Sequence, residues 1–162
     1  MKRKTAHLGM LLAVALICSY IESLIPFYFG IPGVKLGLTN IVVVWMLYLI
    51  GAKEAFLISI LRILLAGFMF GNPFSIIYSL GGGILSFIAM LLLKKTNRFQ
   101  VVSISVLGGI FHNIGQLLVA SLVVENFNLF YYMPVLLSAG FITGFLIGIL
   151  AQELIARLKG RL

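Results

Sequence analysis

His112, Asn113 and Gln116 fall within five residues of one another in the apolar run GGIFHNIGQLLVA, residues 108–120. At about 100° per residue, His112 and Gln116 share one helical face. Asn113 flanks that face, and Ser105 and Gly109 extend the stripe. One imidazole and two carboxamides can hydrogen-bond a polar ligand. His112 also titrates near neutral pH and is a candidate proton carrier. No second His or Cys stands at ligand spacing, so no metal site is expected. A satisfied structural network between helices would use the same side chains, and spacing does not separate the two readings.

Two charges also lie inside apolar runs. Arg62 shares a face with Ala55, Ser59 and Ala66, a stripe suited to a bundle interior. Glu22 stands within a turn of the end of the first apolar run. Helical side chains lean toward the helix N-terminus, which brings Glu22 toward the level of Arg62. The two can form a structural ion pair or contact a ligand. Asn40, Asn72, Tyr78 and Ser79 lie in the same half of their segments. The expectation is one outward-opening pocket. His112, Asn113 and Gln116 form its deep end, Asn40, Asn72 and Tyr78 lie nearer its mouth, and Glu22 and Arg62 complete the candidate ligand-binding set.

The elements that must position these groups follow from composition. The 162 residues are 62% hydrophobic and 10% charged, against about 25% charged in a soluble domain. A chain so poor in water-facing surface is an all-α, polytopic membrane protein. Apolar runs between breakers give six spans: 7–25, 36–50, 54–70, 74–93, 101–124 and 133–156. No stretch is long or polar enough for a soluble domain, so residues 1–162 are expected to form one integral membrane domain. The N-terminal run imitates a signal peptide but continues through Ile21, and is read as a retained first span.

The net charge of +8 does not point to nucleic acid, because the charges fall between the apolar runs. Lys2, Arg3, Lys4, Lys53, Lys94, Lys95, Arg98, Arg157, Lys159 and Arg161 lie on one side, and Lys35 alone on the other. This bias places both termini in the cytoplasm of a multi-pass cell-membrane protein. The first outer loop, PFYFGIPGVK, reads as an interface belt of aromatics or as a lid over the pocket. Cys18 is the lone cysteine and forms no intrachain disulfide.

Small residues mark packing faces. Gly140, Gly144 and Gly148 recur every four residues in the last span, and Ser79, Gly82 or Gly83, and Ser86 do so in the fourth. Such stripes let backbones approach closely. Ala6, Gly9 and Ala13 share a face of the first span. From spacing alone that stripe is expected to pack internally, with docking to another membrane protein as the alternative. Catalysis is not expected. The chain contains no Asp, no GxxxxGK[ST] loop and no nucleophilic triad, so no cofactor and no catalytic residue is assigned.

The run Lys35-Leu-Gly-Leu-Thr-Asn40, then Arg62, Ser79-x-x-Gly82-x-x-x-Ser86 and His112-Asn-x-x-Gln116 resembles the bacterial Gx transporter family, also labelled heptaprenyl diphosphate synthase component I. That family is similar to the substrate-binding S components of energy-coupling-factor (ECF) transporters. The resemblance implies six spans with both termini inside, capture of a small molecule from outside, and work with a transmembrane coupling subunit and two ATPases. It also implies docking through an AxxxA stripe on the first span, for which Gly9-x-x-x-Ala13 with Ala6 is the nearest match. The synthase label fits a chain without Asp poorly, because prenyl synthases of the usual kind bind magnesium through Asp clusters. A non-catalytic membrane subunit assisting polyprenyl diphosphate or quinone metabolism is the alternative. Some relatives are associated with flavin-based electron transfer, which keeps a quinone- or flavin-related role open. A stand-alone proton-coupled carrier using Glu22 and His112 is the third class.

Overall fold

The fourth helix shows how local sequence sets an element. Asn72 accepts a hydrogen bond from the Ser75 N–H at 2.8 Å, and Ser75 Oγ receives the Asn72 N–H at 3.0 Å. This capping box satisfies two helix-start donors that otherwise lack partners. Pro73 fills the first helical position, where a missing N–H costs nothing. The helix then runs unbroken to Lys95, through Gly81, Gly82 and Gly83.

The computed structural model describes residues 2–24 and 37–158, with side chains from Thr5 onward. Among these residues the elements are α1 (Lys2–Leu24), α2 (Leu38–Leu49), α3 (Ala52–Phe70), α4 (Pro73–Lys95), α5 (Val101–Val123) and α6 (Met133–Leu158), with a 3-10 helix (Phe127–Tyr132) before α6. The described residues contain no strand, as an all-helical chain requires. The outer loop PFYFGIPG and Lys35 lie outside them.

Four segments are long and apolar enough to cross a membrane: Thr5–Leu24, Pro73–Lys95, Val101–Val123 and Phe127–Leu158. The chain is a multi-pass helical membrane protein. Helix α2 is apolar but has 12 residues, about 18 Å at 1.5 Å per residue. Helix α3 has 19 residues and carries Lys53, Glu54 and Arg62.

Packing joins α3 to α4, α4 to α5, α5 to α6, α6 to α2 and α2 to α3, which closes a ring, and α1 lies against α2 and α3. The α4–α5–α6 wall is built on glycine. A Cβ at Gly144 would stand 2.7 Å from Val106 Cα, one at Gly148 2.8 Å from Val102 Cα, and one at Gly115 2.9 Å from Gly82 Cα. Backbones this close need small residues, and close approach drives helix association in lipid.

A continuous apolar cluster occupies one half of the bundle. Val43, Val44, Met46 and Leu47 of α2 pack with Ala55 and Ile58 of α3, Phe87 and Met90 of α4, Ile104 of α5 and Ala151 of α6. Phe56 and Phe87 stack with ring centroids 5.1 Å apart. Lys94 Nζ donates to the Leu47 carbonyl at the C-terminus of α2 and lies over the Tyr48 ring. A cation at this position satisfies an orphan carbonyl and complements the helix dipole. The basic residues Lys53, Lys94, Lys95 and Arg157 stand at this end of their helices.

The first-span stripe departs from the internal packing expected. Ala6, Gly9 and Ala13 are exposed, and a Cβ at Gly9 would meet nothing within 4 Å. The face of α1 that packs carries Leu11 and Ala15 instead. Helices α2 and α3, the described neighbours of α1, cover the Leu11 and Ala15 side and leave the opposite face exposed.

Candidate functional site

The half of the bundle away from the core holds the cavities. Glu22 projects from the last turn of α1, half-buried, and its carboxylate accepts the Gly37 N–H at 2.5 Å. Gly37 is left-handed, with φ 68°, a conformation that glycine adopts without steric cost. That turn sends α2 off with Asn40 in its first turn. One turn below Glu22 on α1, Ser19 Oγ lies 3.1 Å from Thr39 Oγ1. Tyr20 and Phe70 pack at 5.0 Å between ring centroids and join α1 to α3 beside this site.

Arg62 comes from mid-α3, whose Ala55 and Ser59 are buried on the same face. Its Nε is buried and has no hydrogen-bond partner among the described residues. The Glu22 carboxylate acts on it electrostatically. Two adjoining polar cavities share Glu22, Arg62 and Ser79 as walls. The larger, about 120 Å³, runs between α1, α3 and α4 past Ser19, Ser23 and Ser75. The smaller, about 40 Å³, is lined also by Gly37, Asn40, Gly109, His112, Asn113 and Thr143. Glu22, Asn40, Arg62, His112 and Asn113 are thereby brought together by α1, α2, α3 and α5, with α4 and α6 supplying Ser79 and Thr143.

The remaining residues of the expected set lie elsewhere. Gln116 and Tyr78 line a third and larger space of about 370 Å³ under the 3-10 helix. Asn113 lines both this space and the smaller polar cavity, and its amide donates to the Leu136 carbonyl at 2.6 Å. It therefore stands as a partition, and the single pocket expected from sequence is divided. Asn72 is exposed, and its side chain serves as the α4 cap. Asn72→Ala is expected to lower stability by about 0.5–2 kcal/mol, read as a melting-temperature drop of the same size with and without added ligand. A drop that appears only in the ligand-bound protein would place Asn72 at the site instead.

Sequence reasoning missed Ser23, Ser75 and Thr143. Thr143 was legible in principle: it sits within the Gly140–Gly144 turn, whose close packing aims its neighbours at the bundle interior. Its hydroxyl bonds back to the Ala139 carbonyl at 2.9 Å, so it offers mainly lone pairs to the cavity. Among the described residues no cluster of three His, Cys, Asp or Glu side chains can hold a metal ion.

A helical, multi-pass membrane protein with polar cavities in one half of its bundle is the class that this fold and site define. The chain belongs to the family described as heptaprenyl diphosphate synthase component I, whose family model matches residues 11–154. No curated protein and no solved structure matches the chain.

Proposed function

We propose that the chain is a single-domain, six-span, substrate-binding membrane subunit of S-component type. It captures a small molecule from outside for uptake and is not an enzyme. The observation that carries this reading is the meeting of all six helices on the polar cavities, in the half of the bundle opposite the apolar core. A charge in lipid is costly, so Glu22 and Arg62 around the same space are best used on a polar ligand. Asn40, Asn72, Tyr78, His112, Asn113 and Gln116 were the further candidates. Of these, Asn40, His112 and Asn113 line the polar cavities and belong to this reading.

Six crossings are compatible with the helix lengths. Helix α3 is about 28 Å long at 1.5 Å per residue, close to the ~30 Å hydrocarbon core. Its Lys53 and Glu54 lie in its first turn, and Arg62 lines the cavity. Helix α2, about 18 Å long, makes the sixth crossing as a short helix seated between α3 and α6, a mismatch that local thinning of the bilayer meets. The charge bias orients the core half toward the cytoplasm and the cavities outward. In intact cells with Cys18 replaced by Ser, a membrane-impermeant thiol reagent is expected to label Asn126→Cys and not Asn97→Cys. The reverse pattern would invert the orientation.

The exposed Ala6, Gly9 and Ala13 stripe is the docking face for a transmembrane coupling subunit and its ATPases. The test is gentle purification, native mass spectrometry for a retained small molecule, and identification of copurifying subunits. The expected result is a retained molecule lost in Arg62→Met, together with a coupling subunit and ATPases. The family description favours a second reading, a non-catalytic membrane subunit assisting polyprenyl diphosphate or quinone metabolism. Copurification of a soluble prenyl synthase, with no ATPase, would replace the first reading by the second.

A further inference from the structure

We propose that the space under the 3-10 helix is a second ligand site, separate from the polar cavities. It takes a neutral, largely apolar molecule carrying one hydrogen-bonding group, which the Gln116 carboxamide holds. Its volume of about 370 Å³ falls within the ~300–1,000 Å³ usual for small-molecule sites. Leu117, Leu129 and Leu136 supply apolar walls, and Tyr78 and Tyr132 supply rings. Among the described residues no charged side chain lines it. A charged ligand would therefore enter without a counter-charge, which is costly in an apolar site.

Gln116 is the feature that the fold leaves unexplained. It is 6% exposed, and its Nε2 is buried without a hydrogen-bond partner among the described residues. Buried polar groups are nearly always paired, and an unpaired one is destabilising. Packing holds the side chain in place, because a Cβ at Gly82 would stand 2.6 Å from Gln116 Cγ. The neighbouring carboxamide, Asn113, is already engaged with Leu136. Gln116 is thus a carboxamide without a partner among the described residues, set in the wall of an otherwise apolar space, and a ligand hydroxyl can bond it. This inference stands independently of the uptake reading, which rests on Glu22 and Arg62.

The test uses the full chain in lipid nanodiscs and two photoreactive probes. One is a diazirine-bearing medium-chain alcohol, and the other is a phosphatidylcholine with a diazirine in its acyl chain. Adducts are mapped by peptide mass spectrometry. The expected result is saturable labelling of Tyr78, Leu117, Leu129 or Tyr132, competed by unlabelled octanol. Gln116→Met is expected to raise the half-saturation concentration about 2- to 10-fold, the loss of one hydrogen bond. Ala120→Trp, which fills the space, is expected to remove the saturable labelling. Labelling by the alcohol identifies a free molecule as occupant, and labelling by the phospholipid alone identifies a bilayer lipid. Without probe, Gln116→Met is expected to melt at or above the wild-type temperature, since it removes an unpaired amide. Three outcomes would overturn the site: labelling confined to outward residues such as Phe68 and Ile142, saturation indifferent to both Gln116→Met and Ala120→Trp, or a Gln116→Met protein that melts well below wild type.

Discussion

Gly144→Leu is expected to leave little or no folded bundle. The α5–α6 pair is the most extensive helix contact in the described structure. A Cβ at Gly144 would stand 2.7 Å from Val106 Cα and 2.8 Å from the Ser105 carbonyl oxygen. Both obstacles are backbone and cannot rotate away. Overpacking a core of adjustable side chains costs about 1–3 kcal/mol. Here a whole helix must retreat, so the expected loss exceeds ~3 kcal/mol, a large part of a typical ~5–15 kcal/mol stability. Thermal unfolding in detergent and the monodispersity of the extracted protein measure this. A monodisperse Gly144→Leu protein with wild-type melting would refute the packing described for this wall.

Gly9→Leu is the matching control. Among the described residues nothing lies within 4 Å of a Cβ at Gly9, so stability is expected to stay within about 0.5 kcal/mol of wild type, as for other open surface positions. If the stripe docks a coupling subunit, this variant loses that partner while keeping its own fold. Retained copurification would remove the stripe from the docking face.

Arg62→Ala is expected to be the most damaging single change in the polar cavities. It leaves Glu22 in the cavity without the guanidinium that offsets its charge. Breaking a fully buried pair costs roughly 3–5 kcal/mol in soluble proteins, and for the half-buried Glu22, which acts on Arg62 through the cavity, that figure is the upper bound. Glu22 keeps one partner, the Gly37 N–H at 2.5 Å, and that bond is also open to a Gln at position 22. The double variant Arg62→Met with Glu22→Gln removes both charges and preserves the volume, so it is expected to be milder than Arg62→Ala alone. A double-mutant cycle on thermal stability reads the coupling. Equal damage from the single and double changes would show that the two residues do not support each other. Loss of ligand retention in the double variant at near wild-type stability would assign the pair to binding.

The helical membrane class was legible because lipid offers the backbone no partner. Every long apolar run must satisfy its own N–H and C=O groups, and it does so as a helix whatever its neighbours are. The start of α4 was equally local, since Asn72, Pro73 and Ser75 carry the whole cap among themselves. The inward face of the Gly140–Gly144–Gly148 stripe could be read as well, because small residues at helical spacing serve close approach and little else. Arg62 shared its face with Ala55 and Ser59, and both are buried.

Other features depended on which helices meet. His112 and Gln116 share a face, but four residues separate them by about 6 Å along the axis. The Asn113–Leu136 bond falls at the level between them and partitions the space they were expected to share. That bond depends on α6 lying against α5, which no residue of α5 encodes. The direction of the Ala6, Gly9 and Ala13 stripe was likewise undecided, because spacing defines a face and not its neighbour. Among the described helices α1 packs mainly on α2 and α3, and this places the stripe outward. Local residues suffice for helix formation, for several helix starts and for the faces that can come close. Which faces find a partner follows from contacts between residues far apart in the chain, and these arise only when the helices assemble.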